Sequence, residues 1–144
     1  MGSTVRERAG LAYYSHSYVW AGLCPGPVVA RAGVAPAGVA KAIRLMRRTI
    51  SAYVRDGARP KELSDSKQAL ASALPRRFET NAGAAGLLAD CEFQGLGYDY
   101  PDKVPGLIAA VDRAAVNAAA RRYLTPDRSV LIVTGPKTPV KDLK

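Results

Sequence analysis

Hydrophobic and polar positions repeat at two different periods along this chain, and the switch between them marks out its elements. Residues 6–18 (RERAGLAYYSHSY) open with three charges, pivot through Gly10 and run into Leu11, Tyr13, Tyr14, Tyr18, Val19 and Trp20. Aromatic and β-branched residues at this density favour a strand. A period of two sorts the stretch into two rows, Leu11, Tyr13, Ser15, Ser17 and Val19 on one face and Ala12, Tyr14, His16, Tyr18 and Trp20 on the other. Neither row is purely apolar, which predicts one face packed on helices and one partly wet or lining a groove. Residues 21–26 (AGLCPG) read as a turn with Pro25 and Gly26 as the breaker pair, and residues 27–35 (PVVARAGVA) as a second strand, antiparallel to the first.

From Pro36 the period lengthens. Val39, Ile43, Met46, Ile50, Tyr53 and Val54 recur at steps of four and three, which lays one apolar stripe along a helix ended by Gly57. Lys41, Arg44, Arg47, Arg48 and Arg55 fall on its other side. A second helix is predicted over residues 60–74, with Leu63, Leu70 and Leu74 inward, Lys67 at the edge of the stripe and Pro75 as its stop. Thr80 or Asn81 caps a third, running to about Gln94, with Leu87, Leu88 and Cys91 as its larger apolar members. Its glycines, Gly83 and Gly86, cost helix propensity and suggest close approach to a neighbouring backbone. Residues 95–102 (GLGYDYPD) read as a loop, residues 104–111 as a short helical turn, and Asp112 as the cap of a last helix through Val116, Ala120, Tyr123 and Leu124. The near-continuous apolar run of residues 128–134 (RSVLIVT) is expected as a strand in the sheet interior, and residues 137–144 as a flexible charged tail.

Two strands, several helices and one strand make an α+β fold, a small, mostly antiparallel sheet packed on one side by several helices. Three strands are few for so many helices. Either another copy completes the sheet, or the chain is the later part of a larger domain. At 144 residues and 48% hydrophobic the chain has the size of one domain, with residues 1–4 (MGST) read as a leader or expression scar. No apolar run approaches a membrane span, the N-terminus lacks the order of a signal peptide, and the compartment is not written in the sequence. Cys24 and Cys91 can pair only if the fold brings them together; two buried thiols are the expectation.

Candidate chemistry is sparse. His16 is the only histidine, without the second histidine or cysteine cluster of a zinc site and without the carboxylate of a nucleophilic triad, so it is read as a solvent-facing or interfacial strand residue. A net charge of +9 raises nucleic acid as a partner, but the basic helix face carries no interleaved aromatics and reads as a solvated surface. Arg6 and Tyr13 are the pair singled out. Guanidinium donors and a phenolic hydroxyl can together hold a carbonyl oxygen or a developing oxyanion. From spacing alone, an ordinary arginine opening a strand and a core tyrosine are the better explanation.

The order RERAGLAYY, PVVARAGVAP, an amphipathic helix, FETNAGAAG, GLGYDYPD and AARRYLTPDRSVLIVTGP resembles the C-terminal, non-zinc portion of the pitrilysin/insulinase family of inverted-motif zinc metallopeptidases, which includes the mitochondrial processing peptidase. The resemblance spans residues 5–136. It implies part of a larger metallopeptidase-type α/β sandwich domain that encloses a peptide substrate opposite a zinc-bearing lobe or subunit. It places Arg6 and Tyr13, in the pattern R-x-x-x-G-L-x-Y, as the residues that orient the substrate carbonyl. The family's H-x-x-E-H motif has no counterpart in these residues. The expectation is therefore a substrate-binding domain portion that holds no metal or catalytic residue of its own, is inactive alone, and works with zinc carried by a partner or upstream domain. A catalytically silent scaffold subunit of the same family is the alternative, and a basic nucleic-acid-binding domain the second. An open sheet edge also predicts self-association.

Overall fold

The computed structural model describes residues 12–20 and 22–135. Among these residues lie two strands, β1 (Ala12–Val19) and β2 (Val28–Val34), and five α-helices, α1 (Val39–Asp56), α2 (Pro60–Ala73), α3 (Asn81–Phe93), α4 (Tyr100–Ala110) and α5 (Arg113–Tyr123). Short 3-10 turns, each opened by a proline, precede α1 (Pro36–Gly38) and α3 (Pro75–Phe78) and follow α5 (Pro126–Arg128). This is the α+β class that the pattern predicts. The chain divides into two compact units, residues 1–57 with 119–144, and residues 58–118.

In the first unit β1 and β2 form an antiparallel hairpin. The Trp20 amide donates to the Pro27 carbonyl at 3.0 Å and closes its loop. Helix α1 packs on β2 and on the Pro126–Arg128 turn. Its stripe is where the periodicity places it: Ile43 is buried with Ala42, while Val39, Met46, Ile50, Tyr53 and Val54 are half-buried. Lys41, Arg44, Arg48 and Arg55 face solvent, and Arg47 is half-buried. Gly57 ends the helix at φ 77°, a left-handed conformation that costs glycine little, and its amide donates to the Tyr53 carbonyl.

One element of this unit departs from expectation. Residues 129–134 are not a strand, and the sheet among the described residues has two strands rather than three. Val130 and Ile132 are 87% and 79% exposed. An apolar run becomes a sheet strand only when a neighbour offers its backbone donors and acceptors. No described segment does so here.

The second unit is helical. α2 packs against α4, and the Pro75–Phe78 turn against α2 and α3. Lys67 lies at the edge of the α2 stripe, where its ammonium donates to the Ala109 carbonyl at 2.7 Å and satisfies an acceptor in the last turn of α4. Asn117 accepts from the Ala58 amide at 2.9 Å and ties α5 to the residues before α2. Thr80 caps α3 through the Gly83 amide, and Asp112 caps α5 through the Ala115 amide at 2.7 Å.

Four local expectations are corrected in this unit and its neighbour. Leu70 is exposed rather than inward, so the α2 stripe is narrower than its leucines suggest. α4 begins at Tyr100, inside the predicted loop, because Pro101 suits a first helical turn and its side chain is buried. A Cβ at Gly83 would collide with the Arg77 carbonyl, but around Gly86 there is open space, so only the first glycine marks a close approach. Of the two thiols, both free, Cys91 is buried and Cys24 is exposed in the hairpin loop.

Candidate functional site

The hairpin carries the sequence-predicted site, and its register decides what each side chain can do. Ala12 pairs with Val34 and Tyr14 with Gly33, so Tyr13 has no partner on β2 and forms a β-bulge. Such an extra residue leaves the ladder and re-aims its side chain. Tyr13 is 78% exposed, which overturns the plain alternative of a core tyrosine. Arg6, its proposed companion, lies outside the described residues, as do the leader at residues 1–4 and the tail at residues 137–144. The pair is therefore represented in the structure by the tyrosine alone.

Beyond the bulge the expected packed face of β1 is confined to Ser15, since Ser17 and Val19 on the same face are exposed. Ser15, opposite Ala32, is half-buried, and its hydroxyl is shielded from solvent without a hydrogen-bond partner among the described residues. On the other face Tyr14, His16 and Tyr18 are exposed and form a row of rings. Centroids of Tyr14 and His16 are 5.6 Å apart with planes at 32°, and those of His16 and Tyr18 are 6.0 Å apart with planes at 23°. Residues directly opposite in an antiparallel pair share a face. Arg31 stands opposite His16, Gly33 opposite Tyr14 and Val29 opposite Tyr18.

Arg31 is exposed, and none of the described ion pairs includes it. It was not singled out in the sequence. Its place in a short strand was legible, but its position opposite the middle ring depends on the length of the hairpin loop and on the bulge. His16, read as solvent-facing, is exposed.

Among the described residues no three His, Cys, Asp or Glu side chains gather closely enough to hold a metal ion. No described helix is long and apolar enough to cross a membrane.

No protein-family profile matches the chain. No curated protein matches it either. Among solved structures it is similar to the peptidase M16 inactive domain from Pseudomonas fluorescens, with a TM-score of 0.76 and 26% sequence identity. The match covers 87% of this chain but 30% of that one, so the present chain spans less than a third of its structural neighbour. Over the matched residues the chain shares the fold of that domain.

Proposed function

We propose that this chain is a substrate-facing portion of the non-zinc half of an M16-type zinc-dependent peptidase of the processing type, inactive alone. The observation that carries the proposal is the likeness to an M16 inactive domain. Tyr13 adds to it: a tyrosine exposed at a bulge, at the position that the R-x-x-x-G-L-x-Y resemblance marks.

In this reading the Tyr13 hydroxyl donates a hydrogen bond to the scissile carbonyl oxygen. It holds that oxygen more tightly as negative charge develops on it, and Arg6 supplies the companion positive charge. Zinc and the general base belong to a second lobe or subunit of the same family. The apolar run at residues 129–134 is where another strand, from the rest of the domain or a second copy, would pair. Sedimentation of the pure chain as a clean monomer at all concentrations would count against the second copy.

The decisive experiment assays the purified 144-residue chain, with added zinc, against unstructured fluorogenic peptides. No hydrolysis is expected until a subunit bearing H-x-x-E-H from the same source is added. Zinc-dependent hydrolysis by the chain alone overturns the proposal.

A further inference from the structure

The exposed hairpin face has a chemistry more specific than a generic peptide wall. We propose that Tyr14, His16, Tyr18 and Arg31 form a platform for an extended peptide that carries, on one face, a carboxylate flanked two residues away on each side by flat or apolar side chains. The proposal rests on the substrate-facing reading above and adds the class of substrate.

Geometry supplies the first argument. The three rings recur at every second residue, with centroid separations of 5.6 and 6.0 Å. Alternate side chains of an extended peptide are about 6.6 Å apart, so a peptide laid along β1 meets one ring per side chain. The platform is also partly preorganised. A Cβ at Gly33 would run into the Tyr14 ring, so that ring lies across the glycine and is seated by its cross-strand neighbour.

Charge supplies the second. Of the residues paired on this face, Tyr14, His16, Tyr18, Gly33, Arg31 and Val29, none is acidic, and Arg31 has no carboxylate partner among the described residues. A guanidinium beside the middle ring can take a carboxylate in bidentate fashion. The same count separates a peptide from a nucleic acid. A single strand of nucleic acid brings one phosphate per nucleotide, and its binding surfaces track the backbone with a series of cations. This face has one arginine, matched to an isolated carboxylate, while the cations of α1 are on a different element.

The test measures fluorescence anisotropy of labelled nonamers on the 144-residue chain at physiological salt. The probes carry Phe at positions 3 and 7 and Glu, Gln or Lys at position 5, so that all three side chains share one face of the extended peptide, and oligothymidylate is the fourth. The acidic peptide is expected to bind about three- to fivefold more tightly than the neutral one, the size of an exposed ion pair. Arg31→Glu should reverse that order in favour of the Lys peptide, and Arg31→Gln should abolish the preference. Arg44→Glu changes the net charge equally but sits on α1, so it should leave the order intact. Tyr18→Ala should weaken all three peptides together by about two- to tenfold. Circular dichroism establishes that each variant is folded.

Three results overturn the platform: no peptide binding by the wild type, an order that Arg31→Glu does not change, or tighter binding of oligothymidylate that Arg31→Glu abolishes. An insensitive peptide order combined with Tyr13-dependent turnover in the assembled peptidase sinks the platform and leaves the domain assignment standing. An Arg31-dependent order in a chain that no zinc subunit activates does the reverse.

Discussion

The ring of Tyr14 lies across the backbone of Gly33, its partner on the neighbouring strand. A Cβ built on Gly33 would stand 2.8 Å from Cζ and 2.9 Å from Cδ1 of that ring, and closer still to Cε1. Gly33→Ala should therefore destabilise the protein by about 1 kcal/mol, the low end for overpacking, because the half-exposed Tyr14 can swing outward at the cost of its contact with His16. The Tyr14→Ala background removes the obstacle. Urea denaturation of the two single variants and the double variant should give a combined loss clearly smaller than the sum. Additive losses would mean that the ring is not seated on the glycine.

Tyr13, one residue earlier, should behave in the opposite way. It pairs with nothing on β2 and is 78% exposed. Tyr13→Phe is expected to leave stability within about 0.5 kcal/mol. In the assembled peptidase it should lower turnover on the order of 10²-fold, as loss of an oxyanion donor does. Unchanged turnover removes Tyr13 from the mechanism.

Asn117 makes a single bond with structural weight. Its side-chain carbonyl accepts from the amide of Ala58, a residue 6% exposed. Asn117→Ala leaves that amide without an acceptor and should cost about 1–2 kcal/mol. Asn117→Asp keeps an oxygen in place and should cost much less. Equal losses in chemical denaturation would show that the bond contributes nothing and that only side-chain packing was lost.

Asp99, at the start of α4, provides a pH signature. The hydrogen bond with Lys103, 2.7 Å away, holds its carboxyl below the usual carboxylate range, aided by the charge of the ammonium. A carboxyl depressed in the folded state stabilises the protein above its unfolded pKa of about 3.9 and loses that contribution as pH falls through the folded value. Asp99→Asn should thus lower the thermal midpoint slightly at neutral pH, with the gap closing as pH falls below the unfolded value and through the depressed folded one. The effect is small because the pair is exposed. A gap of constant size across that range would show that the ion pair with Lys103 does not carry the loss.

Legibility of this fold followed the physics of each segment. α1 was readable to within a few residues because its apolar stripe, an opening proline and a closing glycine all agree. Thr80 and Asp112 were readable as caps because the requirement is local, one side-chain oxygen for an amide three residues on. Residues 129–134 failed for the complementary reason. Their composition is that of a buried strand, yet composition does not supply the partner that makes a strand. Tyr13 was found by resemblance, while its exposure depended on a bulge, a matter of register between strands that no pattern within β1 reveals. Arg31 escaped notice on the same account: the residue it faces is fixed by pairing across the loop at Trp20 and Pro27.

The division of the chain into units has a consequence for synthesis. The helical unit is one unbroken stretch, residues 58–118, whereas the hairpin unit joins residues 1–57 to residues 119–144. As the chain leaves the ribosome, every partner needed for α2 through the start of α5 has emerged before the second half of the hairpin unit exists. β1, β2 and α1 are made before the helical unit, yet Ala120, which is buried, and the Pro126–Arg128 turn, which packs on α1, are made after it. Vectorial synthesis therefore favours a nascent chain whose middle is folded while α1 still lacks the Pro126–Arg128 turn, an interval in which a chaperone or an already finished subunit can reach that part of α1 first.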